Sequence, residues 1–516
     1  MYTEAKKPFI HERQQPMINS PVEKNHTPKN WITNLGWHLA IPIGFLLFMA
    51  LFFPLRERMG NTDEGINLMK GMLVMKGYGL YDEIWSDQPP LFTHLLVAVF
   101  QTLGMRVGSG RLLVLIFSIL LLWAGVQFMR QVWGGASALA FALLLVILPH
   151  YLSLSADVKI GLPAISLAML SLLALAGWHR HRRDRYLILS GVMLGLSTLT
   201  KLFTGILVPI FGLGIIISEF TFYDSRERWR QIFRAATIWG FSLAGTILAL
   251  GLILIGPGNV LQLLEPHLIA RQVEAYLAVE EYTLIFQLQN ARYTLVLAVI
   301  GSIFILITRR WLSLYLVAWS LVAYLFLADH TPVWEHQQML VTIPAVMLAA
   351  IAVGEMIRSL SEMIRSRTFR NAAGILSIAT LISLVIVIVI QTPDVRDQLK
   401  AQPSWSHQGL MAKPEDIQIL EIMESNAGET RWVVTDFPIY AFMTGLPAPP
   451  NLAVFSSKRV ATENLTEAEV LDTILEYEPR QVLLGRFQLP GVEAYLDEHY
   501  NLVHRRHGIR LYLQEE

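Results

Sequence analysis

The chain has 516 residues, of which 53% are hydrophobic and only 16% are charged, and its 41 basic residues are balanced by 41 acidic ones. A soluble domain usually carries about 25% charged residues, so this composition indicates an integral membrane protein. Zero net charge provides no electrostatic basis for nucleic-acid binding, and no nucleic-acid partner is expected. The chain contains no cysteine, which excludes disulfides, thiolate catalysis and cysteine-ligated metals.

Residues 1–33 are polar and are predicted to form a disordered cytoplasmic tail. The apolar run that follows is too long and starts too late for a cleaved signal peptide, so we expect a permanent helix. Further runs approach the roughly 20 residues that cross a bilayer, and they predict a membrane domain over residues 34–391. The apolar runs lie near 35–54, 91–105, 111–129, 135–154, 158–178, 186–200, 202–219, 235–256, 293–308, 311–328, 338–357 and 372–391.

Basic clusters between these runs predict the topology. They lie at 180–185, 226–234, 309–310 and 358–370, and the positive-inside rule assigns all of them to the cytoplasm. This holds only if the run at 91–105 does not cross the membrane. That run is short and polar at two positions, so we expect a helix in the plane of the interface. The prediction is a multi-pass cell-membrane protein of about eleven spans, with a cytoplasmic N-terminus and an extracytoplasmic C-terminus.

Residues 392–516 have the character of a soluble domain, predicted to be a small extracytoplasmic α/β domain. A capping-box pattern at Thr466 and Glu469 marks the start of one of its helices. The predicted helices are 414–427, 466–478 and 491–500. The predicted strands are 431–436 and 481–487, followed by a strand pair in 501–514 that turns at His507-Gly508.

The first outer loop, residues 55–110, carries two acidic motifs. Asp63-Glu64 comes just after the first span, where a carboxylate would act as a general base, or would simply be favoured at a helix N-terminus. The second motif is Asp87-Gln88-Pro89-Pro90. Its prolines fix the backbone, and they either produce a kink before the in-plane helix or aim Asp87 into a site. These two interpretations can both be true.

Further polar residues fall at the outer ends of other spans. Asp157 and Lys159 are two residues apart, as in a surface pair, although the short Asp side chain cannot reach far towards water. Lys201 is the single charge between about 186 and 218, which makes it a candidate ligand of a lipid phosphate. Together, the polar residues of these outer segments would provide acids for base catalysis and cations for binding phosphate, near a lipid interface.

Two further outer segments, residues 257–292 and 329–338, carry histidines. Glu265-Pro266-His267 is followed by Arg271, a group compatible with a metal ligand, a phosphate ligand or an ordinary polar loop. The same three alternatives, a metal ligand, a phosphate ligand or a polar loop, apply to a second group formed by His330, Glu335 and His336. A loop histidine is more often a surface residue than a ligand.

On these residues the chain resembles membrane glycosyltransferases of the GT-C superfold. It is most similar to the protein O-mannosyltransferase-like family 39 and the aminoarabinose-lipid A transferase-like family 83, over roughly residues 35–360. Two motifs depart from the family pattern: Gln88 replaces the usual Lys, and Leu202 replaces a Gly. The matching elements are Asp63-Glu64-Gly65, Ser86-Asp87-Gln88-Pro89-Pro90-Leu91, Asp157, Thr200-Lys201 and Glu265-Pro266-His267.

The resemblance implies transfer of a sugar from a polyprenyl-phosphate donor to an extracytoplasmic lipid, glycan or protein, by inverting displacement. The implied catalytic acids are Asp63, Glu64 and Asp157, with Asp63 as the base or the acid that positions the acceptor. The implied ligands of the donor phosphate are Lys201, Arg271 and His336. As in some relatives, Asp87 and His267 would share a divalent metal ion. The partners are therefore a lipid-linked sugar and membrane lipid.

Two other function classes fit a polytopic chain. A lipid or small-molecule transporter or flippase usually shows internal repeats and polar groups near the bilayer midplane, and the sequence shows no repeat. A non-catalytic scaffold would use its outer domain as a binding module. Such a scaffold has no reason to gather acids around Lys201, so their proximity in the structure separates these alternatives.

Overall fold

A computed structural model of the chain describes residues 29–52, 59–270, 283–330, 332–366, 371–400, 414–506 and 508–514. This part of the chain is mainly helical. Its helices are α1 (Lys29–Phe52), α2 (Thr62–Met75), α3 (Leu91–Leu103), α4 (Val107–Val132), α5 (Gly135–Val146), α6 (Tyr151–Leu154), α7 (Gly161–His181), α8 (Asp184–Thr200), α9 (Leu207–Phe222), α10 (Ser225–Leu254), α11 (Val260–Ala270), α12 (Leu284–Leu288), α13 (Arg292–Thr308), α14 (Leu314–Ala328), α15 (Glu335–Ser366), α16 (Asn371–Lys400), α17 (Pro414–Ser425), α18 (Pro438–Met443), α19 (Ser457–Ala461), α20 (Glu467–Tyr477) and α21 (Pro490–His499).

Within the described ranges, nine helices are long and apolar enough to cross a membrane, against the eleven spans expected. The difference lies at two predicted spans. The run 135–154 is not one helix, because α5 ends at Val146 and only a short turn of helix follows. Pro149 explains the break, since it lacks an N–H and disfavours the helical conformation of the residue before it. The run 186–200 forms α8, which has 17 residues and is therefore shorter than each of the nine helices.

Two local predictions about the outer segments agree with the structure. The chain breaks at Lys201, which has an extended backbone (φ −153°, ψ 122°) between α8 and the 3₁₀ turn Leu202–Ile206. Helix α3 has 13 residues, a length of roughly 20 Å at 1.5 Å per residue. This is shorter than the roughly 30 Å hydrocarbon core, so α3 cannot cross it.

The membrane helices differ in how much of their surface the protein covers. Helices α7 and α15 are almost entirely buried and form the centre of the bundle, whereas α1 and α10 expose most of their apolar side chains, as lipid-facing helices do. Gly301 lets α13 approach α15 closely, because a Cβ added there would lie 1.9 Å from the carbonyl oxygen of Leu348.

The C-terminal region forms a four-stranded sheet flanked by helices, as predicted. Strands β1 (Val433–Thr435) and β2 (Gln481–Leu484) are parallel, and β2 pairs antiparallel with β4 (Ile509–Gln514), which pairs with β3 (Tyr500–Arg506). The predicted capping box is present at the start of α20. Gly508 has φ +84° in the turn between β3 and β4, and His507 lies outside the described residues.

This C-terminal region packs directly on the first outer loop. Buried side chains of α2 and α3 share one apolar cluster with Ile439 and Phe442 of α18. Gly65 makes the contact possible, because a Cβ there would lie 2.4 Å from the backbone nitrogen of Ile439. Helix α2 is therefore held between the membrane helices and the C-terminal sheet region.

Candidate active site

A cavity of about 610 Å³ lies where α2, the chain breaks at 159–160 and 201–203, α11 and the start of α15 meet the C-terminal region. Its described lining combines charge with apolar surface, including Leu202, Phe203 and Val454. The charged lining residues are Asp63, Lys70, Asp87, Lys159, Lys201, Glu335, Lys458 and Arg486. Cations outnumber acids, which suits an anionic ligand.

One face of α2 lines this cavity. Asp63, Ile66, Asn67 and Lys70 all reach it, and their spacing of three and four residues brings them to one side of a helix. The other side of α2 is apolar and buried. The helix therefore presents a carboxylate and an ammonium, two turns apart, to the same space.

Arg111 of α4 and the segment at 157–158 fix the N-terminal end of α2. Glu64 is fully buried and accepts two hydrogen bonds from Arg111 of α4, at 2.8 Å and 2.7 Å, and a third from the backbone N–H of Val158 at 3.1 Å. Asn67 donates to the carbonyl of Val158 at 3.0 Å. Asn61 caps α2 by accepting from the Glu64 N–H and donates to Asp157 at 3.3 Å. Glu64 and Asp157 thus hold the helix that carries Asp63.

Asp63 differs from both of these acids. It is exposed to the cavity, and among the described residues no hydrogen-bond or ion-pair partner occupies its carboxylate. It is nevertheless close enough to two buried cations to raise the pKa values of Lys70 and Lys201. This gives a fixed carboxylate with its lone pairs available, beside positive charge.

Lys201 is a buried ammonium that reaches the same cavity. Burial lowers the pKa of Lys201 to about 7, against an opposing effect of the Asp63 charge. Its Nζ lies 5.3 Å from the ring centre of Phe203, and no carboxylate pairs with it in the part of the chain that the structure describes. Lys70 is similar, since burial lowers its pKa to about 8. Both positions favour an anion that would restore the charged form.

Asp87 and His267, the pair expected to share a metal, are bridged instead by Lys458 of the C-terminal region. The Lys458 ammonium donates to Asp87 Oδ2 and to His267 Nδ1, the latter at 3.0 Å, while His267 Nε2 donates to the Asp87 carbonyl at 3.1 Å. Burial raises the pKa of Asp87, but the charge of Lys458 and its hydrogen bond outweigh burial and hold that pKa below its usual range. The described residues contain no group of three or more metal-binding side chains. Because an ammonium already contacts both expected ligands, this pair does not fit a metal.

The remaining predicted residues are distributed as follows. His336 lines the cavity at the start of α15, and its backbone packs against Gly161, where an added Cβ would lie 2.9 Å from the His336 carbonyl oxygen. His330 also lines the cavity and contacts the Phe203 ring edge-on at 5.0 Å. Glu265 is exposed outside the lining. Arg271 lies outside the described residues.

Three charged cavity residues, Lys70, Lys458 and Arg486, were not predicted from the sequence. Lys70 had a signal, because it follows Asp63 by seven residues on the same face of a helix. Lys458 is separated from Asp87 by 371 positions and sits in a region treated as an independent domain, so no local pattern pointed to it. Its ammonium contacts Asp87, which directly precedes Gln88, the position at which the resemblance expects a Lys.

Comparisons with known proteins bear on the fold that holds this cavity. Residues 87–255 match the family model described as dolichyl-phosphate-mannose-protein mannosyltransferase. The structure is similar to that of ArnT from Cupriavidus metallidurans in the apo state, with 12% identity and a TM-score of 0.57 over 93% of this chain and 98% of that one. No match was found among curated proteins by sequence.

Other solved structures extend the comparison to ligand-bound and archaeal proteins. ArnT from the same organism bound to undecaprenyl phosphate gives a TM-score of 0.57 at 12% identity, over 94% of this chain and 98% of that one. The apo oligosaccharyltransferase of Archaeoglobus fulgidus gives a TM-score of 0.56 at 13% identity, over 94% of this chain and 75% of that one. The chain therefore has the GT-C fold, and the resemblance predicted from its motifs is confirmed at the level of fold.

Proposed function

We propose, from this GT-C fold and the cavity within it, that the protein is a membrane glycosyltransferase that takes a sugar from a polyprenyl-phosphate donor. The observation that carries the proposal is the presence of Asp63 and Lys201 in one cavity, where neither has an ion-pair partner among the described residues. A scaffold gives no reason for an acid and a buried cation, both without an ion-pair partner among the described residues, to share one cavity.

The donor side is assigned to Lys201 and Lys70. A phosphate placed between these ammonium groups would receive charge-assisted hydrogen bonds and would keep both lysines protonated. ArnT from Cupriavidus metallidurans has been solved bound to undecaprenyl phosphate, and the oligosaccharyltransferase AglB from Archaeoglobus fulgidus has been solved in complex with a dolichol-phosphate. Both structures support a lipid phosphate as the ligand. His336 and Arg271 remain proposed phosphate ligands from the sequence.

A route for the lipid tail is available along α11. This helix turns His267 and Leu263 inward, while Leu261, Leu264 and Leu268 are exposed along its other side. Leucines spaced three and four residues apart form an apolar stripe suited to lipid. The donor would therefore place its phosphate in the cavity and its chain along this stripe.

The acceptor side is assigned to Asp63. Its carboxylate takes the proton of an acceptor hydroxyl or amine as that group attacks the anomeric carbon of the donor. The bond from the anomeric carbon to the phosphate oxygen breaks in the same displacement, which inverts the configuration. The polyprenyl phosphate leaves with the bonding electrons, and Lys201 stabilises its charge. Glu64 and Asp157, first expected to be catalytic, are proposed as residues that position Asp63.

The test is transfer by the purified full-length protein from polyprenyl-phosphate sugars to components of the cell envelope, followed by mass analysis of the products. We expect a sugar-sized mass increase with the wild type. Asp63→Asn should lower turnover by about 10²–10⁴-fold, the usual contribution of a positioned general base.

The matched control is Asp472→Asn, which removes an exposed acid of α20 outside the cavity and should leave turnover unchanged. Wild-type protein that yields no sugar-modified product with any polyprenyl-phosphate sugar would overturn the proposed function. Full turnover by Asp63→Asn would remove only the assignment of the base.

A further inference from the structure

Lys458 forms a link between two parts of the molecule that the sequence alone treats as separate. It belongs to α19 in the C-terminal region, and it reaches a carboxylate of the first outer loop and an imidazole of α11. Its side chain is largely buried. A surface lysine of a docked domain would instead point to solvent, so this position requires an explanation.

The hydrogen bonds of Lys458 fix its orientation. An ammonium has three N–H donors, and among the described residues two of them are taken by Asp87 Oδ2 and His267 Nδ1. His267 is held as the tautomer that donates from Nε2, because its Nε2 contacts the Asp87 carbonyl oxygen and its Nδ1 accepts from Lys458. One donor of the ammonium remains available to a ligand in the cavity that Lys458 lines.

The backbone around Lys458 is held firmly in place. Arg486 donates to the carbonyl of Phe455 at 3.0 Å and to that of Asp436 at 3.0 Å, and it also contacts the Ser457 hydroxyl. Ser456 caps α19 by accepting from the Arg459 N–H. Pre-organisation of this kind is typical of a binding group rather than of a mobile surface side chain.

The position of Lys458 coincides with the place where a metal ion was expected. A divalent ion bound to Asp87 and His267 would meet the lysine ammonium on the same two ligand atoms, and like charges at that distance repel strongly. The lysine supplies positive charge there without a metal. The Lys458 charge is also close enough to Lys201 to add to the lowering of the Lys201 pKa by burial.

We infer that Lys458 is a ligand of the donor phosphate, held by Asp87 and His267, and that it takes the place of a divalent metal ion in this cavity. The inference rests on the proposed function, because it assumes that a lipid phosphate occupies the cavity. It assigns the C-terminal region a direct part in the site, because docking of that region brings Lys458 and Arg486 to the other cations of the cavity.

The experiment measures binding of undecaprenyl phosphate and of undecaprenol, which lacks the phosphate, to the full-length protein in detergent with EDTA. Wild type should prefer the phosphate, and added Mg²⁺ or Mn²⁺ should change the affinity by less than about twofold. Lys458→Met should weaken phosphate binding by about 10–100-fold, the usual range for a lost charge-assisted hydrogen bond, and leave undecaprenol binding unchanged.

Two further variants keep the result interpretable. Lys76→Met changes an exposed lysine at the end of α2 outside the cavity and should bind like wild type. The double variant Asp87→Asn/Lys458→Met removes both charges of the pair, so that no buried carboxylate is left unpaired. It should fold like wild type by thermal melting and still bind the phosphate weakly.

The possible failures are distinguishable. Unchanged phosphate binding in both Lys458 variants, or a wild-type affinity that depends on a divalent ion, would overturn the role of Lys458. Wild type that shows no preference for the phosphate, or that keeps its preference after Lys201→Met, would instead overturn the proposed donor site. A loss of undecaprenol binding equal to that of the phosphate would assign Lys458 to structure alone.

Discussion

Glu64 and Asp87 are both buried carboxylates paired with a cation, but their pairs lie in different parts of the molecule. The partner of Glu64 is Arg111 of α4, and neither residue lines the cavity. The partner of Asp87 is Lys458 of the C-terminal region, and both residues line the cavity. The first pair joins elements within the membrane domain, and the second joins two regions across a site.

Asp63 completes this comparison because it has no partner among the described residues. It follows the N-cap of the same helix as Glu64, but it faces the cavity rather than the bundle. In a chain with few charges, a paired carboxylate holds elements together, whereas an accessible unpaired one beside cations is available for chemistry. Adjacent acids in a sequence can therefore have separate roles that only the fold distinguishes.

The largest stability effect is expected at the Glu64–Arg111 pair. Arg111→Met would leave a buried carboxylate uncompensated, which costs about 3–5 kcal/mol. Thermal melting of the purified protein in detergent should show a lower midpoint. The double variant Glu64→Gln/Arg111→Met should recover much of the loss, because neither charge then remains buried. A single variant as stable as wild type would show that the pair does not hold α2.

A smaller effect is expected at Gly65, where α2 contacts the C-terminal region. Gly65→Val would place side-chain atoms against the backbone of Ile439, and overpacking of this kind costs about 1–3 kcal/mol. Limited proteolysis should then release the C-terminal region faster than in wild type. Gly428→Val is a suitable control, because a Cβ at Gly428 meets no atom within 4 Å. Equal cleavage rates would argue against docking through α18.

The buried ammonium of Lys201 predicts a pH dependence of donor binding. Since burial lowers the pKa of Lys201 to about 7, its ammonium is present below that pH and is lost as the pH rises through it. The affinity for undecaprenyl phosphate should therefore fall above pH 7, by up to about tenfold per pH unit. Lys201→Arg should remove this step, because arginine stays charged. A wild-type affinity that is constant from pH 6 to 8 would contradict the assignment.

The smallest effect is expected at the capping box of α20, which is remote from the cavity. Thr466→Ala removes the side chain that accepts from the Glu469 N–H, and such a change costs about 1 kcal/mol. Thermal melting should register this loss while turnover of correctly folded protein stays at the wild-type level. A fall in turnover per folded molecule would mean that the C-terminal sheet controls the cavity more tightly than the ion pairs indicate.

Local patterns in the sequence are sufficient to predict most of the helices and strands. The capping box of α20, the break at Lys201 and the short helix α3 each follow from a few neighbouring residues. The apolar composition of residues 135–154 predicts one continuous helix, but Pro149 restricts the backbone and α5 ends at Val146. The described part of the chain therefore has one long apolar helix fewer at this place than expected.

The site was predictable only in part, because its pairings depend on tertiary contacts. The sequence indicated which polar residues share one face of the membrane, and the structure brings Asp63, Asp87, Lys201, His267 and His336 to one cavity. No pattern in the sequence indicates that Arg111 pairs with Glu64, 47 positions away, or that Lys458 reaches Asp87. Long-range ion pairs of this kind leave no periodic trace in the sequence.

The central claim is a division of roles within one cavity, with an acid for the acceptor and cations for the donor phosphate. The most direct test measures, for Asp63→Asn and Lys201→Met, both the affinity for undecaprenyl phosphate and the turnover at saturating donor. We predict that Asp63→Asn binds like wild type and loses turnover, whereas Lys201→Met binds about tenfold or more weakly. Equal losses of binding and turnover in the two variants would contradict the account.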